Sequence, residues 1–272
     1  MPTTITPSDL ETYHDQGYLI LRQTFSPARI QSLLDAVNHW MDRGLAGACE
    51  IDWIDAEQRL PKRTGHLLRP DRYDPAYAEW LATDLPPQLE ALIDAPVRHS
   101  LFGMLASGGG QPYEQAWHRD LGKPGDPDEL DYYQRLEGNF VQFNAPLLPG
   151  DRFLNIVPAS HLRVSTAAEL KAAAAGTEAD MPNAMVVELE PGDIVYYNAN
   201  LWHRGWNPEG INRWSMHCAF WRADRPVMSH EYGQREFMYT DGHLEQMPEK
   251  ARQYIQLYLD NYPEEPQKLQ DF

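Results

Sequence analysis

Three residues of this chain have the types and spacing to hold one metal ion. In QAWHRDLG, His118 and Asp120 stand two apart. On an extended strand, residues i and i+2 face the same side, so an imidazole and a carboxylate can meet one ion. Alone, the pair also reads as an ordinary half-buried strand end. A further donor lies in PGDIVYYNANLWHRGWNPEGINRWSMHCAF, which has the pattern of a strand, a turn rich in Gly, Asn and Pro, and a second strand. With that turn centred on Pro208, His203 faces Arg213 across a hairpin, their Cβ atoms roughly 5 Å apart. One face then carries a second imidazole with a cation beside it.

Two imidazoles and a carboxylate on one side of an ion leave the opposite positions open. That set suits Fe(II), which must admit a cosubstrate and O₂. Structural zinc sites are closed and thiolate-rich, and the only cysteines are Cys49 and Cys218. The planar fork of an arginine grips a carboxylate at two points. 2-Oxoglutarate offers one carboxylate and a ketone to the metal, and a second carboxylate about 5 Å further on for such an arginine. Taken alone, Arg213 also reads as a surface cation. His161, in VPASHL, reads as a turn-bonding residue, and His217 as a core or supporting residue on the face of Arg213. His14, His39, His66, His99, His230 and His243 lack a partner at ligand spacing.

Residues 97–245 must position these groups. Short apolar runs there alternate with Gly, Pro, Asn and Asp clusters: VRHSLFGMLA, NFVQFNAPLL, RFLNIVP, AMVVELEPGD, IVYYNANLWH and INRWSMHCAFW. Such spacing predicts an antiparallel β sandwich or barrel. Residues 1–96 read as a helical support layer. Helices are predicted over 7–17 and 26–43, the second capped by Ser26, started by Pro27 and ended by Gly44. GYLILRQTF between them reads as a strand, and 74–94 as one or two helices broken at Pro86-Pro87. Residues 246–272 read as a helical tail around EKARQYIQLYLDNY, and ELKAAAAG as a short helix within an insertion at 165–180. Residues 121–138, LGKPGDPDELDYYQRLEG, are too polar and too rich in Pro and Gly for a core strand, so a mobile lid is expected there. The three parts read as one domain spanning 1–272, because the helices lack a core of their own.

Apolar residues make up 42% of the 272, enough for a real core, yet no run of 18 could span a membrane. The N-terminus has neither the basic start nor the apolar run of a secretory signal, and two distant cysteines read as reduced thiols; a cytoplasmic location is expected. A net charge of −17 repels phosphate backbones and argues against nucleic-acid and anionic-membrane partners. Against that background RLPKRTGHLLRPDRY carries Arg59, Lys62, Arg63, Arg69 and Arg72. It reads as a solvated basic loop or as a docking site for an anionic group. Oligomeric state is left open.

The chain resembles the phytanoyl-CoA dioxygenase family of Fe(II)/2-oxoglutarate oxygenases. HDQGYLILRQTFSPARIQSLL is similar to the family's opening, WHRD to its His-x-Asp site, VPASH to its PGSH turn, and PGDIVYYNANLWHRGWNPEGINRW to its distal His and Arg segment. The resemblance implies a mainly β fold with flanking helices, a double-stranded β-helix, and decarboxylation of 2-oxoglutarate to succinate. It matches His118, Asp120 and His203 to the iron ligands, Arg213 to the residue that binds the far carboxylate, and Ser215 to its hydroxyl neighbour. Gln142 and Asn144, which share parity on NFVQFNAPLL, should face the same cavity. Asp120 stands where halogenating members have a small residue, which disfavours halogenation. Gly205 replaces a common hydroxyl two residues after the distal His. The substrate implied is a small molecule, such as an amino acid or natural-product intermediate, with Trp117, Trp202, Trp206, Trp214, Trp221, Tyr132 and Tyr133 as candidate lining. The alternatives are a metal-binding β-barrel without oxygenase activity, and an interaction module that binds no metal.

Overall fold

The computed structural model describes residues 4–177, 179–238, 240–265 and 268. Thus Glu178 of the 165–180 insertion and residues 266–267 and 269–272 of the expected tail lie outside the described residues. The helices are α1 (Pro7–Gln16), α2 (Pro27–Leu45), α3 (Pro75–Thr83), α4 (Pro86–Ile93), α5 (Glu129–Leu136), α6 (Ala167–Ala174), α7 (Arg235–Met238) and α8 (Glu249–Asp260). The strands are β1 (Tyr18–Leu21), β2 (Trp53–Asp55), β3 (Leu60–Pro61), β4 (Val97–Ser107), β5 (Tyr113–Glu114), β6 (Phe140–Pro146), β7 (Asp151–Ile156), β8 (Met185–Leu189), β9 (Ile194–Tyr197), β10 (His203–Asn207) and β11 (Arg213–Arg222).

Two antiparallel sheets form the core, ordered β1-β9-β6-β11-β4 and β5-β10-β7-β8. This is a double-stranded β-helix with helices on one side, as the resemblance implies. Strand alternation explains the layering. On β11, Met216, Cys218 and Phe220 join the apolar cluster under the helices, with Phe102 and Met104 of β4, Leu33 and Trp40 of α2, Trp80 of α3 and Tyr254 of α8. Ser215 and His217, which alternate with them, turn toward the second sheet. Among the described residues no helix is long and apolar enough to cross a membrane. Cys49 and Cys218 are both free thiols.

Two expectations change and one holds. The predicted stop at Gly44 fails, because α2 continues to Leu45. Gly44 serves a close contact instead, since a Cβ there would lie 2.3 Å from Ile51 Cδ1. The break expected at Pro86-Pro87 is found: α3 ends at Thr83 and the two prolines open α4, where a missing N–H costs nothing. The expected lid is not an open loop: its second half is α5, whose Tyr132, Tyr133 and Leu136 pack with Leu121, Trp221 and Met228. Glu129 anchors that helix by accepting from Gly125 N at 3.0 Å, Tyr133 Oη at 3.0 Å and Ser165 N at 3.1 Å.

Candidate metal centre

His118 and Asp120 lie not on a regular strand but on an irregular extended segment after β5. His118 forms a single antiparallel bridge with His203, each backbone N–H donating to the other's carbonyl at 3.0 and 2.9 Å. The two imidazoles therefore stand side by side, ring centres 4.3 Å apart. Each ring is fixed in the same way. Nδ1–H of His118 donates to Ala116 O, and Nδ1–H of His203 to Leu201 O, both at 2.9 Å. A carbonyl can only accept, so Nδ1 keeps the proton and Nε2 presents its lone pair.

The ligand atoms converge. Asp120 Oδ1 lies 3.4 Å from His118 Nε2 and 3.6 Å from His203 Nε2, and all three ligating atoms fall within 4.8 Å of one another. Three donors each about 2.1 Å from one octahedral ion would sit about 3 Å apart, so a small contraction closes the set. Burial opposes a charge on Asp120, yet the adjacent imidazoles of His203 and His118 hold its carboxyl well below the usual range. His118 is shifted the other way. Burial opposes its charge, but Asp120 and the Ala116 carbonyl outweigh that and raise its proton affinity. His203 is more deeply buried, and desolvation keeps it neutral despite Asp120. Gln142 Nε2 donates to the second carboxylate oxygen of Asp120 at 3.2 Å, which orients that carboxylate from the opposite sheet.

The expected hairpin register is overturned. His203 and Arg213 are not cross-strand partners: β10 pairs with β5 and β7, while β11 pairs with β4 and β6. The Gly, Asn and Pro turn carries the chain from one sheet to the other, stapled by Asn207, whose amide donates to Ile211 O at 2.7 Å and accepts from Ile211 N at 3.0 Å. Arg213 still reaches the cleft, from the facing sheet. His118, Asp120, His203, Asn144, Arg213 and His217 all line it. Arg213 is buried, and its Nε donates to Asp151 Oδ2 at 3.1 Å. Its Nη2 is buried with no partner, and so is the hydroxyl of Ser215. Asn144 is paired with His217, Oδ1 to Nδ1, at 2.8 Å.

These orphaned donors test the fit of a dicarboxylate. A buried guanidinium nitrogen and a buried hydroxyl without partners are costly, and an incoming carboxylate would satisfy both. The residues fit iron and 2-oxoglutarate. Gly205 has its own reason: a Cβ there would lie 2.7 Å from the Tyr113 ring and 2.8 Å from Gln115 Oε1. Tyr113 and Gln115 thus occupy the space of the side chain that the resemblance would place there.

His161 Nε2 donates to His14 O at 2.9 Å, a turn-bonding role as expected. Arg204 turns away to bond Thr177 O and stack on Trp206, its Cζ 4.0 Å from that ring. Trp117, Trp202, Trp221 and Tyr133 are buried in packing clusters and do not line the cleft. Sequence reasoning missed Asp151, Tyr113, Gln115 and Tyr197. Parity with Leu154 and His203 could have flagged none of them without the strand pairing.

No protein-family model matches the chain, and no curated protein does. Solved structures do. The non-haem α-ketoglutarate-dependent carbocyclase SnoK from nogalamycin biosynthesis is 16% identical, with a TM-score of 0.60 over 91% of this chain and 94% of that one. EctD from S. alaskensis, crystallised with 2-oxoglutarate and 5-hydroxyectoine, is 15% identical, with a TM-score of 0.59 over 82% of this chain and 78% of that one. HygX from Streptomyces hygroscopicus, with nickel, 2-oxoglutarate and hygromycin B bound, is 16% identical, with a TM-score of 0.57 over 84% and 95%. At these identities the likeness establishes the fold, which is that of non-haem iron and 2-oxoglutarate enzymes.

Proposed function

We propose that this chain is an Fe(II)- and 2-oxoglutarate-dependent dioxygenase that hydroxylates a small molecule, such as an amino acid or natural-product intermediate, with release of succinate and CO₂. One observation carries the reading: a cleft that joins a two-His, one-carboxylate face to a buried arginine with an unused Nη2. A metal-binding barrel with no cosubstrate has no use for that arginine. The fold shared with SnoK, EctD and HygX supports the same reading.

Bound iron with 2-oxoglutarate supplies the activation of O₂; the chain supplies position and environment. His118, Asp120 and His203 hold the ion on one face and leave the other face open. Gln142 fixes the Asp120 carboxylate. Arg213 and Ser215 take the far carboxylate of 2-oxoglutarate, with Asp151 holding the guanidinium in place. Asn144 and His217 form a paired polar wall between the sheets.

The test is iron content and succinate formation in the wild type and in His118→Ala, Asp120→Ala and His203→Ala. Each variant should lose iron and 2-oxoglutarate turnover while far-UV circular dichroism is preserved. A variant that keeps wild-type turnover with one iron per chain removes that residue from the ligand set. Stoichiometric iron without 2-oxoglutarate binding would favour the barrel without oxygenase activity.

A further inference from the structure

A second cavity, of about 380 Å³, adjoins the metal cleft. That size lies within the range of small-molecule sites, roughly 300–1,000 Å³. The two cavities share Arg63, Asp120 and His217 in their walls. Beyond these, the second is lined by Leu101, Leu121, Phe140 and Ala219, with Ser100, Gln142, Ser229 and His230 as polar neighbours. A molecule seated there has an apolar bed and reaches the metal past Asp120.

Arg63 differs from the other arginines of its basic segment. Arg59 pairs with Asp42 at 2.7 Å, Arg69 with Asp71 at 3.0 Å, and Arg72 donates to Thr64 Oγ1 at 2.9 Å and Gly65 O at 2.8 Å. The exposed guanidinium of Arg63 makes no hydrogen bond or ion pair with a described residue. It lines both the metal cleft and the second cavity, so it stands where the two meet. The second cavity contains one carboxylate, Asp120, which the metal would neutralise. In a chain of net charge −17, an uncompensated cation at this mouth is a local inversion of sign.

We propose that Arg63 is a specificity residue: the second cavity takes a substrate with an apolar body and an anionic group, a carboxylate or a phosphate ester, which Arg63 clamps at the mouth. The proposal rests on the oxygenase reading and names the substrate class of that site. Arginine suits both anions because its fork donates two parallel hydrogen bonds to either.

The test loads the protein anaerobically with Fe(II) and 2-oxoglutarate, so that Arg213 is already engaged. Calorimetric titration then compares 3-phenylpropionate, phenyl phosphate and the neutral 3-phenylpropionamide. At least one anion should bind saturably and about tenfold or more tighter than the amide, a charge-assisted preference. The tighter of the two anions identifies the group. Arg63→Gln should abolish the preference and Arg63→Lys retain part of it. Equal binding of the amide, no saturable anion, or an undiminished preference in Arg63→Gln overturns the proposal. So does a loss in Arg63→Gln confined to 2-oxoglutarate. If the wild type fails to bind iron or 2-oxoglutarate during loading, the oxygenase reading falls and this proposal with it. If both load and no preference appears, only the role of Arg63 falls.

Discussion

Arg213 and Asp151 are each only 3% exposed, and the bond between them leaves Nη2 of the guanidinium unsatisfied. Keeping an unpaired buried donor costs free energy unless a ligand completes it. Truncating one partner of a buried charged pair loses ~2–5 kcal/mol, which is roughly 30-fold or more in affinity. Arg213→Ala should therefore raise the KM for 2-oxoglutarate about 30-fold or more, while iron still binds through the intact triad. Lysine should rescue in part, because an ammonium lacks the fork. The check is a 2-oxoglutarate titration with iron content measured in parallel. An unchanged KM would take Arg213 out of the site; Arg204 could not replace it, since its side chain faces away, and Arg63 would be the remaining cation on the cleft. The pairing of His118 with Asp120 was legible from their spacing; the hairpin register that joined His203 and Arg213 to them is not the one the structure has, and the cleft gathers those two from facing sheets instead. Asp151 was not legible: a carboxylate in a turn looks solvated until the pairing of β7 buries it.

At the scale of elements, the segment bearing His118 and Asp120 owes its shape to the residue between them. Arg119 points away from the cleft and is buried. Its Nη1 donates to Ser160 O at 2.6 Å and Asn200 O at 2.5 Å, and its Cζ lies 4.6 Å from the Tyr133 ring and 5.1 Å from the Trp202 ring. It ties the loop of Asp120 to the turn that leads into His203. Arg119 is thus a positioning residue. Hydrogen bonds to charged groups contribute about 1.5–3 kcal/mol each, so Arg119→Gln should lower stability in urea by about that much. It should also weaken iron affinity more than it changes the KM for 2-oxoglutarate. Lower stability with unchanged iron affinity would reduce Arg119 to a packing role. The longer strands and helices were readable from alternation and caps, whereas the short β2, β3, β5 and α7 were not. Nor was partnership. The segment 203–213 has the composition of a hairpin, yet β10 and β11 enter different sheets, a choice made by the bonds of Asn207 and by burial on both faces. Likewise α5 hid within a Pro- and Gly-rich stretch whose helix begins only at Glu129.

At the scale of the molecule, the cleft is where the two sheets meet, so its ligands should brace the whole fold. His203 belongs to β10 in one sheet, with His118 bridged to it, whereas Arg213, His217 and Asn144 come from β11 and β6 in the other. A ligand that binds only the native state stabilises it by about 2.7 kcal/mol at a hundred times its Kd. For a chain near this size that corresponds to a rise in Tm of roughly 5–10 °C. Fe(II) under anaerobic conditions should give one increment, and 2-oxoglutarate a second that appears only with metal present. Arg213→Ala should keep the first and lose the second. The metal increment should also depend on pH, with a definite sign. His118 has a raised proton affinity in the metal-free fold, so its protonation stabilises that fold fully below the ordinary histidine pKa of about 6.5 and ceases to as pH rises through the raised value. Metal binding requires the same nitrogen without its proton. Acid therefore favours the metal-free protein, because the proton that stabilises it occupies the nitrogen the metal needs. The iron-dependent rise in Tm should shrink steadily from pH 8 to pH 6, and His118→Ala should show no such rise at any pH. A metal increment that is constant across this range would mean that His118 is not a ligand, whatever its distance from Asp120.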